Sequence, residues 1–118
     1  MSGTAQFEVV RKLGLRLPNA AESTTYGKPS LKIDGKMFAC MASHKSAEPD
    51  SLAVRVDFDR RSELLVTEPR TYYITDHYRD YPAVLVRLQH ITPDALEDLL
   101  KMAYRLVARQ STRQRKKA

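Results

Sequence analysis

The sequence predicts an α+β fold, a two-layer sandwich in which a mainly antiparallel sheet carries the N- and C-terminal helices on one face. Three observations support this prediction. Both ends of the chain have apolar residues at helical spacing. Between them, Asp34-Gly35 joins two runs of strand-forming residues, which is the strongest local signal of a β-hairpin because a type I′ turn needs a positive φ at both central residues. Residues 52–57 alternate as a strand with one buried face does, and residues 83–88 form another strand, with Val84, Val86 and Leu88 on one face.

Each element has its own local signal. Thr4 and Thr92 are expected N-caps, and Pro93 suits the first position of a helix. Gly27 and Pro29 are expected to interrupt any strand ladder ahead of the hairpin. In chain order, the predicted elements are a helix from Thr4 to about Leu17, an extended segment at 23–26, hairpin strands at 30–33 and 36–41, a loop at 43–51, a strand at 52–57, a short helix capped by Asp59 and running to about Thr67, a strand at 71–74, a loop at 75–82, a strand at 83–88, and a final helix whose pattern fades near Arg109.

The chain of 118 residues has the size of one domain, which we place at residues 1–108. Residues 109–118 are predicted to form a basic, disordered tail, since they hold five of the twenty basic residues and no acidic one. The remaining fifteen basic residues nearly balance the fourteen acidic ones, so the net charge of +6 belongs mostly to the tail. Such a tail either adds non-specific affinity for phosphate backbones or is a solvated terminus without a specific partner.

The sequence also predicts the compartment. It contains no run near the ~20 apolar residues that a transmembrane helix needs, and its N terminus lacks the pattern of a signal peptide. Its single cysteine, Cys40, lies within a predicted strand, where a thiol in a reducing compartment acts as a small apolar residue. We therefore expect a soluble cytoplasmic protein with no membrane partner.

Strand alternation predicts a cationic surface on the side of the sheet away from the helices, which should be partly open to solvent. Lys32 lies between two inward apolar residues, as do Arg55 and Arg87 on their own strands. Lysine and arginine on such strands contact phosphates, and exposed tyrosines stack on unpaired bases. The predicted DNA contacts are Lys28, Lys32, Lys36, Arg55 and Arg87, with Tyr26, Tyr78 and Tyr81 as aromatic faces.

Catalysis has little support in the sequence. The three histidines and Cys40 form no zinc pattern, and the four glycines form no phosphate-binding loop. The first helix is basic, whereas a metal-binding ridge is acidic. We therefore predict no metal, no cofactor and no enzyme activity. One enzymatic alternative remains, with His77 as a base beside Asp76 and Asp80.

An ordered series of motifs resembles the MmcQ/YjbR family of small bacterial proteins. The matching residues are Glu22-Ser23, Tyr26-Gly27-Lys28-Pro29-Ser30, Asp34-Gly35-Lys36-Met37-Phe38-Ala39, Leu52-Ala53-Val54-Arg55-Val56-Asp57, Tyr72, His77-Tyr78, Tyr81-Pro82, Leu99-Leu100 and Ala103-Tyr104. The resemblance implies a frataxin-like α/β architecture. It also implies DNA binding, which is ascribed to the family by analogy with a double-wing domain.

One departure and one alternative accompany this resemblance. Relatives often carry a tryptophan directly after the Tyr-Pro pair, where this chain has Ala83. That tryptophan either contacts a ligand or packs in the core of the relatives. The alternative to a DNA-binding protein is a small protein- or ligand-interaction module that uses the loop at 75–82 and the sheet face.

Overall fold

The computed structural model describes the backbone of residues 3–117 and the side chains of residues 7–110. Within this range the elements are α1 (Gly3–Gly14), β1 (Ala20–Thr25), β2 (Lys28–Ile33), β3 (Lys36–Met41), β4 (Ser51–Arg55), α2 (Phe58–Thr67), β5 (Tyr72–Tyr73), a 3-10 turn (Asp76–Tyr78), β6 (Ala83–Arg87) and α3 (Pro93–Lys117). The six strands form one sheet in the order β1-β2-β3-β4-β6-β5, and every neighbouring pair is antiparallel.

The main core lies between the sheet and the helices. Val10 of α1 and Leu100 of α3 are fully buried in the same cluster as Leu31 and Val54 of the sheet, and α2 adds the partly buried Leu64. The helices therefore share one face of an antiparallel sheet, and the predicted α+β two-layer architecture is confirmed.

Two consecutive hairpins build the first half of the sheet. Asp34 and Gly35 have φ angles of 52° and 76°, which confirms the predicted turn with two positive φ angles. Tyr26 and Gly27 form a second turn of the same kind, with φ angles of 53° and 76°. This second turn joins β1 to β2, so the prediction that the ladder breaks here is wrong.

Pro29 is tolerated in β2 because of its position in the ladder. The pair Thr25↔Lys28 closes a two-residue turn and is a hydrogen-bonded pair, so the next pair, Thr24↔Pro29, is of the non-hydrogen-bonded kind. The nitrogen of Pro29 therefore points away from β1, and β3 pairs with β2 only from Ser30 onward. The missing N–H removes no ladder hydrogen bond.

An extra residue in β3 sets which side chains face the helices. Leu31 pairs with Ala39 but Lys32 pairs with Met37, so Phe38 forms a β-bulge. Phe38 and Ala39 are both fully buried in the main core. Met37 consequently lies opposite Lys32, on the side away from the helices.

Helix boundaries differ from the predicted ones at both ends of α1, at the cap of α2 and at the end of α3. α1 ends at Gly14 and not near Leu17. α1 begins at Gly3, so Thr4 lies inside the helix instead of capping it. The cap of α2 is Asp57, not Asp59, and its Oδ1 accepts a hydrogen bond from the Arg60 N–H at 2.7 Å. Thr92 does cap α3, because its Oγ1 accepts from the Ala95 N–H at 3.2 Å.

The last difference concerns the end of α3. The sequence pattern fades near Arg109, whereas the assigned helix continues to Lys117. The side chains of residues 111–118 lie outside the described residues, so the boundary after residue 108 and the disorder of a basic tail stay predictions.

The sheet face opposite the helices is only half covered. Ala53 and Leu85 form a small second core there with Tyr78, under the loops that contain Ala47 and Ile74. These loops cover the β5, β6 and β4 half of the face. The half made by β2, β3 and the adjoining part of β4, here called the uncovered half, lies outside this second core, although Ser30 and Cys40 on it are buried. The candidate site lies along this boundary.

Candidate nucleic-acid interface

A groove of about 760 Å³ runs along the sheet face opposite the helices. Met37, Cys40 and Ala53 line its floor. One flank is the β1–β2 turn with Tyr26, and the other is the loop at 77–81 that precedes β6. Its size is that of an ordinary ligand site, so the groove can hold part of a larger molecule or a small one.

Arg55 supplies a positive charge at one end of the groove. Its Nε donates to the Pro82 carbonyl at 3.2 Å and its Nη2 to the Gln110 Oε1 at 3.3 Å. Both acceptors are neutral, and no carboxylate among the described residues pairs with this guanidinium. Ala83, which stands where relatives often carry tryptophan, pairs with Arg55 and is buried. Arg55 therefore keeps its net charge and further N–H donors beside the groove.

The three predicted lysines lie on the β2–β3 hairpin but not all on one side. Lys28 and Lys32 alternate with the inward Leu31 and Ile33, so both face away from the helices. Lys36 pairs with Ile33 and therefore lies on the helix side of the sheet, although it lines the rim of the groove. Lys28 is exposed, whereas Lys32 and Lys36 are half-buried.

Arg87 faces away from the helices, as predicted, but its environment differs from that of Arg55. Its Nε and Nη2 donate to the two carboxylate oxygens of Glu48 at 2.9 and 2.8 Å. Its Nη1 donates to the carbonyls of Pro69 and Arg70, and the guanidinium lies 4.3 Å from the centre of the Tyr73 ring. These contacts occupy four of the five N–H donors, and Glu48 balances the charge. Arg87 thus joins loops on the covered half of the face.

Arg61 of α2 holds the second flank of the groove in place, and the sequence analysis missed it. Its Nη1 donates to the carbonyls of Tyr81, Tyr78 and Ala83 at 2.8, 3.3 and 3.3 Å, and its Nη2 donates to that of Arg79 at 2.8 Å. Burial lowers the pKa of this guanidinium. Nothing in the local sequence separates Arg61 from its neighbour Arg60, because only the three-dimensional path of the loop brings these carbonyls to one side chain.

The three tyrosines of the groove differ in exposure. Tyr78 is 8% exposed and belongs to the second core, so its ring packs and does not present a free face. Tyr26 is 88% exposed and Tyr81 is 51% exposed. The two exposed rings lie on opposite flanks, since β3 and β4 separate the turn of Tyr26 from the loop of Tyr81.

His77 is stacked on His44, with ring centres 3.5 Å apart and planes inclined by 8°. His44 Nδ1 is hydrogen-bonded to Ser46, whose hydroxyl also bonds Thr75 at 2.8 Å. Burial, followed by the nearby His77, lowers the pKa of His44. Within residues 7–110 no carboxylate forms a hydrogen bond with His77, so the pairing that a catalytic base would need is absent there.

Cys40 lies on the groove floor but has no sign of an activated nucleophile. The side chain is 5% exposed, its Sγ lies 3.1 Å from the Met41 carbonyl as a donor, and burial raises the pKa of the thiol. A raised pKa disfavours the reactive thiolate. Within the same part of the chain, no cluster of three histidine, cysteine or acidic side chains is arranged to hold a metal ion.

The fold and the groove define a class: a small α+β domain with three helices behind an antiparallel sheet and a tyrosine- and cation-lined groove in front. The sequence model of the YjbR family matches residues 15–106. The chain belongs to the YjbR family, as the motif series predicts.

Individual proteins are similar to this chain in sequence or in fold. The uncharacterized protein Mb2600 of Mycobacterium bovis and the uncharacterized protein Rv2570 of Mycobacterium tuberculosis are each 42% identical to this chain over 60 residues, which is 50% of this chain and 46% of theirs. The matched region is thus about half the length of these curated relatives. The crystal structure of Deinococcus radiodurans protein DR2400, a DUF419 domain, has the same fold, with a TM-score of 0.70 and 23% identity over 86% of this chain and 78% of that one.

One further finding concerns membranes. Among the helices of the described residues, none combines the length and the apolar composition needed to cross a bilayer.

Proposed function

We propose that this protein is a non-enzymatic nucleic-acid-binding domain that contacts phosphate backbones through the uncovered half of its sheet. The observation that carries the proposal is the environment of Arg55. Among the described residues this guanidinium has only neutral partners at the groove, and Lys28 and Lys32 face the same side of the sheet. Cations that no neighbouring acid neutralises are the groups that displace counterions from a phosphate backbone.

The set of contacts in this proposal is smaller than the one the sequence suggests. It contains Lys28, Lys32 and Arg55, with Lys36 on the rim of the groove and the basic segment from residue 109 as auxiliaries. Arg87 is assigned a structural role, because Glu48 and two backbone carbonyls already engage it. We place the protein in the cytoplasm as part of the same proposal, since its only cysteine is a buried thiol.

The test is a fluorescence anisotropy titration of labelled single-stranded and duplex DNA at about 50 and about 200 mM salt. We expect affinity that falls with salt, and Arg55→Gln should weaken binding and lower the salt slope by about one. Arg105→Gln is the matched control, because Arg105 is an exposed arginine on α3, on the helix side of the sheet. The control should bind like the natural protein.

A chain ending at Gln110 separates the folded domain from the basic segment. This truncation removes the last four cations but keeps the partner of Arg55. We expect it to weaken binding less than Arg55→Glu does. Loss of all binding on truncation, or the absence of salt-dependent binding by the natural protein, would contradict the proposal.

A second candidate is a module that binds a protein segment in the groove. It is favoured by the apolar floor, where Met37 and Ala53 lie between the two exposed tyrosines. Binding of a peptide buries apolar surface and depends little on salt, whereas phosphate contacts weaken steeply as salt rises. The salt series above therefore distinguishes the two candidates.

A further inference from the structure

We propose that the groove takes unpaired bases of single-stranded nucleic acid, which stack on Tyr26 and Tyr81, and that it discriminates against duplex. This inference rests on the proposed function and names the form of nucleic acid bound.

Tyr26 occupies a strained position that folding does not explain. Its φ of 53° lies in the left-handed region, which side chains with a Cβ avoid and which bulky residues adopt rarely. The chain has the same turn at Asp34-Gly35, where an aspartate takes the equivalent position as the turn prefers. At Tyr26 the ring is 88% exposed, so burial does not offset the strain. Uncompensated strain of this kind is concentrated at functional sites.

On the other flank, hydrogen bonds fix the backbone of the loop that carries Tyr81. The guanidinium of Arg61 binds the carbonyl of Tyr81 and those of Tyr78, Arg79 and Ala83, so the loop is tied to α2 on both sides of the ring. The side chain itself remains 51% exposed. A loop whose backbone is fixed before the ligand arrives loses little conformational entropy on binding.

The surface between the two rings suits a nucleotide. Met37 and Ala53 give an apolar floor, and Arg55 places N–H donors at one end. The only carboxylate that lines the groove is Asp80, within the described residues. A flat ring stacks on an aromatic side chain while its phosphate meets the cation, and stacking tolerates every base because each base has a π-face.

Duplex nucleic acid does not offer the same contacts. In a duplex, both faces of each base are covered by neighbouring base pairs, so a side chain reaches only base edges and backbone. Stacking on Tyr26 and Tyr81 therefore requires bases that are free of such neighbours. The cations of the groove contact the phosphates of either form. The difference in affinity between single strand and duplex therefore measures the contribution of the tyrosines.

The experiment compares labelled oligothymidine with a duplex of equal length at one low salt concentration. The variants are Tyr26→Asn, which suits a positive φ and so folds, Tyr81→Ala, and the ring-preserving Tyr26→Phe. Val66→Asn, at a 79% exposed position on α2, is the matched control for the new asparagine. We expect oligothymidine to bind at least about tenfold more tightly than the duplex, and Tyr26→Asn and Tyr81→Ala each to lose about tenfold for oligothymidine only.

A second readout is intrinsic fluorescence, which reports tyrosine directly because the chain has no tryptophan. Oligothymidine should quench it in the natural protein, and less in Tyr26→Asn and in Tyr81→Ala, each of which has lost one of the two stacking tyrosines. Tyr26→Phe should keep the affinity for oligothymidine, because its ring still stacks. Equal binding of duplex and single strand, or unchanged oligothymidine affinity in Tyr26→Asn, overturns the inference while leaving the proposed function intact. Absence of binding to both forms overturns the proposed function as well. Tight binding of a peptide that added DNA does not displace would also overturn the proposed function.

Discussion

At the scale of single residues, three arginines show that the partner of a side chain decides its role. Arg87 is balanced by Glu48 and stacked on Tyr73, Arg61 is surrounded by backbone carbonyls, and Arg55 has neutral partners beside the groove. The first two connect loops to the sheet or to a helix. Only the third keeps donors toward a surface that a ligand can reach.

Replacing Arg61 by lysine should destabilise the protein. A lysine ammonium keeps the charge but cannot span four carbonyls, so acceptors in the 78–83 loop lose their donors. We expect the free energy of unfolding to fall by about 2 kcal/mol in urea denaturation. Arg60→Lys is the control, since the Arg60 side chain makes an exposed ion pair with Glu63, and its change should stay within about 0.5 kcal/mol. Equal stability of the two variants would show that the carbonyl contacts contribute nothing.

A methyl group at Gly14 should also destabilise the fold. A Cβ there would lie 2.2 Å from Leu31 Cδ1, and Leu31 is fully buried. Overpacking of this kind costs about 1–3 kcal/mol, and the better helix propensity of alanine offsets less than about 1 kcal/mol. Gly14→Ala should therefore lower the urea midpoint, and adding Leu31→Val should give a favourable coupling in a double-mutant cycle. A more stable Gly14→Ala protein would contradict the predicted clash.

At the scale of elements, the two hairpin turns have the same backbone conformation but different residues at the first position of positive φ. Asp34 tolerates its positive φ better than Tyr26 does, because a short polar side chain bonds locally where an aromatic ring cannot. The β1–β2 turn is thus the less favourable of the two turns.

Tyr26→Asn should consequently stabilise the protein. Relief of left-handed strain at an exposed turn is expected to raise the free energy of unfolding by about 1 kcal/mol, measured by urea denaturation. The same variant is expected to bind oligothymidine less well, so stability and binding would move in opposite directions. A destabilised Tyr26→Asn would mean that the tyrosine makes a contribution to folding that its exposure does not reveal.

The loop of His44 and the 3-10 turn of His77 should respond to acid. The lowered pKa of His44, caused first by burial and then by His77, means that the folded chain binds a proton less readily than the unfolded chain. The contribution of neutral His44 to the free energy of unfolding is therefore present above the unfolded pKa of about 6.5. It is lost as the pH falls toward the pKa of His44 in the folded chain. The urea midpoint should drop more between about pH 7.5 and about pH 5.5 in the natural protein than in His44→Gln. Parallel behaviour of the two proteins would exclude this coupling.

Predictability from sequence ends where contacts between distant segments begin. The Asp34-Gly35 turn and the Thr92 cap depend on neighbouring residues, so local chemistry identifies both. The side of the sheet that Arg55 and Arg87 face follows from strand alternation. What each arginine meets there does not, because Glu48 lies 39 residues from Arg87 in the chain. The β1–β2 turn was missed because tyrosine is an unusual residue at a positive φ.

At the scale of the whole molecule, the two faces of the sheet have different tasks. The helix side carries the continuous core and holds nearly all of the large buried side chains. The opposite side has only a small second core under two loops, and the groove lies where this covering ends. Function is therefore expected on the side that contributes less to stability, where substitutions at exposed positions leave the core unchanged.

The strand order has a consequence for folding kinetics. β1, β2 and β3 are joined by two-residue turns and close quickly, whereas the ladder between β4 and β6 pairs Ser51 with Arg87 across a long stretch of chain. One flank of the groove arises with the early meander and the other only after this late pairing. An oligonucleotide that needs both flanks therefore binds only the folded protein. In stopped-flow experiments it should slow unfolding and leave the refolding rate unchanged.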